Sequence, residues 1–193
     1  MNLAIIVFEG FDELDVVGPF EVLRRASRVL PDFEVKLYST DDQPVVTGQA
    51  ALAICTEGTL EKAPDLLVVP GGGWNDGSES GVRAQTSLGK LPNMVREMHE
   101  NGSTIATMCT GAMIAAYAGI AKGRNMTTHH CAIDDLRAFG ANVVHRRVVD
   151  DGDLLSSGGV TAGLDLALTL VQRYGNKTIA DSIASDLEYQ RTT

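Results

Sequence analysis

Along the chain, short apolar runs alternate with longer stretches in which apolar residues recur at helical spacing. Residues 3–8, 33–39, 66–69 and 104–108 are strand-like, whereas 19–27 and 88–101 mix apolar and charged residues in the manner of half-buried helices. This alternation predicts an α/β sandwich around a mostly parallel sheet. Gly18-Pro19 marks a helix start, with Phe20, Val22 and Leu23 set among Glu21, Arg24 and Arg25. Residues 45–56, with Gly48 near the middle, form a strand pair or an extended arm. Residues 150–153 make a turn between the runs at 143–149 and 154–156. Leu164, Leu168 and Val171 place a helix over 161–174, and a last helix covers 177–187. With no repeat or linker, residues 1–193 are expected to form one domain.

Composition narrows the function classes. Aromatic residues are only 5% of the chain, so aliphatic side chains must carry the core; Met94, Met98, Met108 and Met113 read as part of it. A net charge of −9 and an isoelectric point near 4.8 argue against nucleic-acid or anionic-membrane partners, which demand clustered Lys and Arg. Three cysteines without a C-x-x-C pair or zinc-site spacing suit a reducing compartment. MNLAIIVFEG has no basic n-region and reads as a first strand, and no run approaches the ~20 apolar residues of a membrane span. The expected setting is the cytoplasm.

Candidate chemistry concentrates in TIATMCTGAMIAAYAG, residues 104–119, where an apolar run ends in Cys109 and restarts as a small-residue helix. A strand, a sharp turn and a helix would expose the thiol at the carboxyl end of a sheet and aim helix N–H groups at it, favouring the thiolate. Gly111, Ala112, Ala115 and Ala116 let the helix sit close beneath the bend. The alternative is a cysteine that merely packs. In open α/β sheets ligands gather at the carboxyl ends of strands, which would bring three more segments to Cys109. The amides of Gly72 and Thr110 suggest an oxyanion hole; Gly73 follows in the same Pro70-Gly71-Gly72-Gly73 loop, and Trp74 stands at the pocket mouth. Asp15, between Leu14 and Val16-Val17, needs a partner if ionised and can relay a proton, whereas Asp12 and Glu13 read as solvated loop acids. His129, in Thr127-Thr128-His129-His130-Cys131, is placed to pair with a thiol. His130, Cys131 and Cys55 are not expected to contribute.

LDVVGPFEVL, VVPGGG, MCTGA, TTHH and SSGGVTAGLDLALTLV together resemble the ThiJ/PfpI superfamily, class I glutamine amidotransferase-like, over nearly the whole chain. The resemblance implies a flavodoxin-like three-layer sandwich, a reactive cysteine on a strained turn and a homodimer. LD-x-x-GP, CTG and GGVTAGLDLALTL followed by DLEY look most like the isocyanide hydratase branch and the ligand-binding half of AraC-type regulators. This implies Cys109 as nucleophile, Asp15 as its acid partner and Thr110 as a catalytic neighbour, with a small-molecule substrate and no cofactor. A regulator would need a basic DNA-binding domain after Tyr174, where 19 residues remain. The chain departs from that branch at TTHH, where TTHW is common, and in the loop PGGGWNDGSES. The expected reaction is hydration of an isocyanide to an N-substituted formamide through a thioimidate. The alternatives are conversion of an α-oxoaldehyde to a hydroxy acid and an oxidation-sensing role for Cys109.

Overall fold

A computed structural model describes residues 1–75 and 79–191, so Asp76, Gly77 and Ser78 of the loop after Trp74 lie outside the described residues. In chain order the elements are β1 (Asn2–Val7), α1 (Glu13–Ala26), β2 (Glu34–Ser39), β3 (Val45–Thr47), β4 (Ala53–Cys55), β5 (Leu66–Val69), α2 (Val82–Leu88), α3 (Lys90–Glu100) and β6 (Thr104–Met108). There follow α4 (Ala112–Tyr117), β7 (Asn125–Met126), α5 (Ile133–Ala138), β8 (Asn142–Val143), β9 (Val148–Asp150), β10 (Leu154–Ser157), α6 (Ala162–Tyr174) and α7 (Lys177–Asp186).

The main sheet runs β2-β1-β5-β6-β10-β9, parallel throughout except for the antiparallel edge strand β9. β5 is four buried aliphatic residues in a row, the composition of a strand covered on both faces. The chain moves from β1 outward to β2, then back across β1 to β5, β6 and β10. Right-handed crossovers in opposite directions put their helices on opposite faces. Accordingly α1, α6 and α7 pack together in one layer, and α2, α3 and α4 in the other. The reversal leaves a crevice beyond the ends of β1 and β5, the place where such sheets bind ligands. β3 and β4 form a separate antiparallel hairpin, which leans on the β1–α1 connection through Gly10 N–H to Thr47 O and Gln49 N–H to Phe11 O.

Two element boundaries differ from expectation, and one helix was not anticipated. α1 starts at Glu13 rather than Pro19, because the Asp12 carboxylate caps it by accepting from Leu14 N–H at 3.1 Å. Pro19 then lies inside the helix. The 88–101 helix is really the end of α2 and all of α3, divided at Gly89, whose φ of +74° breaks the α-helical path. In α3, Leu91, Val95 and Met98 are buried at the spacing that marked it as helical. α5 was not anticipated: only Leu136 of its six residues is buried, so it carries little apolar periodicity. Among the described residues no helix is long and apolar enough to cross a membrane.

Candidate active site at the end of β6

β6 ends at Met108 in extended conformation, and Cys109 follows with a φ of +52°, opening a 3-10 turn, Cys109–Gly111, that leads into α4. A non-glycine residue in the left-handed region is strained and must be held by its surroundings. Here Cys109 N–H donates to Gly158 O at 3.1 Å, and the Thr128 hydroxyl donates to Cys109 O at 2.8 Å. The elbow is jammed against the end of β5. A Cβ on Gly111 would lie 2.4 Å from Val69 O and 2.5 Å from Pro70 O, so no side chain fits there.

Asp15 reaches the elbow from the buried face of α1. Its Oδ2 accepts from Gly71 N–H at 2.9 Å, while Oδ1 has no hydrogen-bond partner. Gly71 is required in this contact, since a Cβ would stand 2.7 Å from Thr110 N and 2.9 Å from Asp15 Oδ2. Burial, reinforced by the nearby charge of Asp12, pushes the Asp15 carboxyl up to about 8, against the opposing pull of Gly71 N–H and the Cys109 thiol. Asp15 is therefore protonated at neutral pH. Burial also pushes the Cys109 thiol up, with the Asp15 charge second, against hydrogen bonds from the Val160 and Thr110 amides. The expectation of a resting thiolate is thus corrected. The helix behind the turn is short, and desolvation outweighs two N–H groups.

The predicted oxyanion hole is corrected as well. Gly72 N–H is committed to Thr110 Oγ1 at 2.9 Å, tying the glycine loop to the elbow. The amides that face the sulfur are those of Thr110 and Val160. Val160 itself has a φ of +39° and follows Gly158-Gly159.

Cys109, Thr110, Gly72, Gly73, Trp74 and His129 line one cavity of about 280 Å³, joined by Asp12, Gln49, Asn75, Cys131 and Val160. Asp15 lies beneath the cavity, against the thiol. Larger clefts of about 460 Å³ beside β2 and about 660 Å³ beside Arg147 contain no thiol. Trp74 is buried where it lines the cavity: its Nε1–H donates to Asp135 at 2.7 Å, and the Arg83 guanidinium lies 3.9 Å above the ring. Among the described residues no group of three or more His, Cys, Asp or Glu could hold a metal ion.

The DJ-1/PfpI family model matches residues 1–173. The chain belongs to the DJ-1/PfpI family. Within it, the chain is 33% identical over 191 residues to an isonitrile hydratase of Pseudomonas putida, covering 98% of this chain and 78% of the relative. It is 29% identical over 184 residues to the transcriptional regulator CdhR of Pseudomonas aeruginosa, of which it spans 52%. A ThiJ/PfpI family protein of Pseudomonas syringae superposes with a TM-score of 0.87 at 28% identity, covering all of this chain and 76% of that one.

For this DJ-1/PfpI member the sequence brought Cys109, Asp15 and the cavity wall to one place but misjudged several neighbours. Asp12 and Glu13 are not solvated loop acids: Asp12 caps α1 and lines the cavity, and Glu13 Oε1 accepts from Ala50 N–H at 2.5 Å. Their partners lie in the first helical turn and in the β3–β4 hairpin, beyond any local pattern. His129 turns its Nδ1 to Cys131 Sγ at 3.0 Å. Cys131 lines the same cavity. The i to i+2 spacing of His129 and Cys131 at the start of a tight turn was the available signal.

Proposed function

We propose that this protein hydrates small isocyanides to N-substituted formamides. The observation that carries the reading is the fully buried Asp15 carboxyl beside the Cys109 thiol, with Oδ2 anchored by Gly71 N–H and Oδ1 unpartnered. Since the Gly71 N–H occupies Oδ2, the acidic proton resides on Oδ1. That proton is delivered to the terminal carbon of R–N≡C as sulfur attacks it, and the thiol proton passes to the carboxylate, restoring the acid. The product is the thioimidate R–N=CH–S–Cys109. Water adds to the same carbon, one of its protons goes to nitrogen, and the C–S bond breaks with return of a proton to sulfur. The Val160 and Thr110 amides stabilise the departing sulfur. Atoms balance as isocyanide plus water giving formamide, and no cofactor takes part.

Similarity to an isonitrile hydratase along almost the whole chain supports this substrate class. So does the cavity, which suits a small uncharged molecule. The reading takes Thr110 as the link that holds the glycine loop on the elbow, Gly72, Gly73, Trp74 and His129 as substrate-contacting wall, and the chain as one domain working as a cytoplasmic homodimer. A paired turnover assay with a simple isocyanide and with methylglyoxal tests it. Formamide formation lost in Cys109→Ala and lowered by about 10²-fold or more in Asp15→Asn is expected. Lactate without formamide would replace the reading with the α-oxoaldehyde reaction, and full activity in Cys109→Ala would remove both.

A further inference from the structure

β7 delivers the chain to two buried threonines, Thr127 and Thr128, and then to His129 and a tight 3-10 turn, His130–Ala132. The imidazole of His129 is fixed on several sides. Its Nδ1 accepts from Cys131 N–H at 3.3 Å, and the ring of His130 stacks on it at 4.1 Å. Its Cδ2 presses on Gly159, where an added Cβ would approach to 2.3 Å. A backbone amide can only donate, so Nδ1 carries the lone pair and the ring proton is on Nε2. The Cys131 sulfur lies 3.0 Å from that same Nδ1, within reach of a proton passed from thiol to ring. Burial and His130 hold the ring below the usual histidine range, keeping it neutral and able to accept a proton. A thiol within hydrogen-bond reach of a neutral imidazole is a nucleophile with its base in place.

This dyad opens into the cavity that Cys109 occupies. The two thiols have different proton partners, Asp15 for Cys109 and His129 for Cys131. Asp12 also lines the cavity, which disfavours anionic guests. We propose that Cys131, with His129 as its base, is a second nucleophilic thiol of the cavity that takes small uncharged carbonyl electrophiles as hemithioacetals. In R–CO–CHO, the Cys131 sulfur bonds to the aldehyde carbon, the thiol proton goes to His129 Nδ1, and the aldehyde oxygen takes a proton from the imidazolium. The adduct R–CO–CH(OH)–S–Cys131 forms reversibly with no oxidant and no loss of atoms. The inference stands apart from isocyanide hydration, since it concerns a different sulfur and a different base.

The test uses the full-length Cys109→Ser protein, so that the readout is independent of turnover. Iodoacetamide labelling at pH 7 is followed peptide by peptide, with Cys55 on β4 as internal reference because its side chain is exposed. Half-buried Cys131 is expected to react about tenfold faster than exposed Cys55, to fall to the Cys55 rate or below in His129→Asn, and to be protected by millimolar methylglyoxal more strongly than Cys55. Cys131 reacting no faster than Cys55, a rate unchanged by His129→Asn, or equal protection of both cysteines would overturn the proposal. The Cys55 rate and the circular dichroism spectrum of His129→Asn separate loss of the base from loss of the fold.

Discussion

A carboxyl group on the inward face of a helix, with one N–H donor and no cation beside it, stays neutral because desolvation disfavours its charged form. Asp15 is in this position, and its protonation up to about pH 8 gives two predictions. Turnover that needs the Asp15 proton falls as pH rises through about 8, a limb that a kcat/KM profile reads directly. Stability follows the same group. The unfolded chain releases this proton near 3.8 and the folded chain near 8, so the native state binds more protons between those values. Stability contributed by protonated Asp15 is fully present below the lower value and is lost as pH rises toward the upper one, at up to about 1.4 kcal/mol per pH unit. Asp15→Asn mimics the neutral acid and should flatten this dependence in thermal melts from pH 5 to pH 8. The proposed nucleophile and its acid were visible in the sequence, one at the end of an apolar run before a glycine, the other as a carboxylate among aliphatic residues. The Val160 amide was not, because any residue offers an amide and only the fold aims it.

At the scale of elements, the site depends on how tightly three strand ends are held together. Gly111 allows the elbow to touch the β5 carbonyls. Gly111→Ala should cost about 1–3 kcal/mol, seen as a melting temperature lowered by several degrees, with activity lost out of proportion because Cys109 is displaced. The α1 cap connects helix stability to the chemistry. Asp12→Asn keeps a good cap but removes the charge that helps push Asp15 up, so helix stability should hold while the alkaline limb of activity moves to lower pH. An unmoved limb would show that Asp12 does not act on Asp15. These boundaries were the least legible features. Gly18-Pro19 is a valid start signal that was overridden by a cap six residues earlier, and the α2–α3 break rests on one left-handed glycine, Gly89.

For the molecule as a whole, the alternation of strand-like and helical stretches was enough to anticipate a mostly parallel sheet between helical layers. The order of strands was not, since β1 and β5 become neighbours only through a crossover from β2 that passes back over β1, and periodicity carries no such information. That crossover places the reversal of winding beside the glycine loop and the start of α1, and thereby brings Asp15 against Cys109 from nearly a hundred residues away. The measurement that goes straight to the chemistry is a rapid-quench single turnover with an isocyanide, followed by peptide mass analysis. A transient adduct of one isocyanide on the Cys109 peptide, formed before formamide and decaying into it, is the expected result. Formamide released with Cys109 unmodified at every time point, or with the adduct carried by another residue, would contradict nucleophilic attack by Cys109.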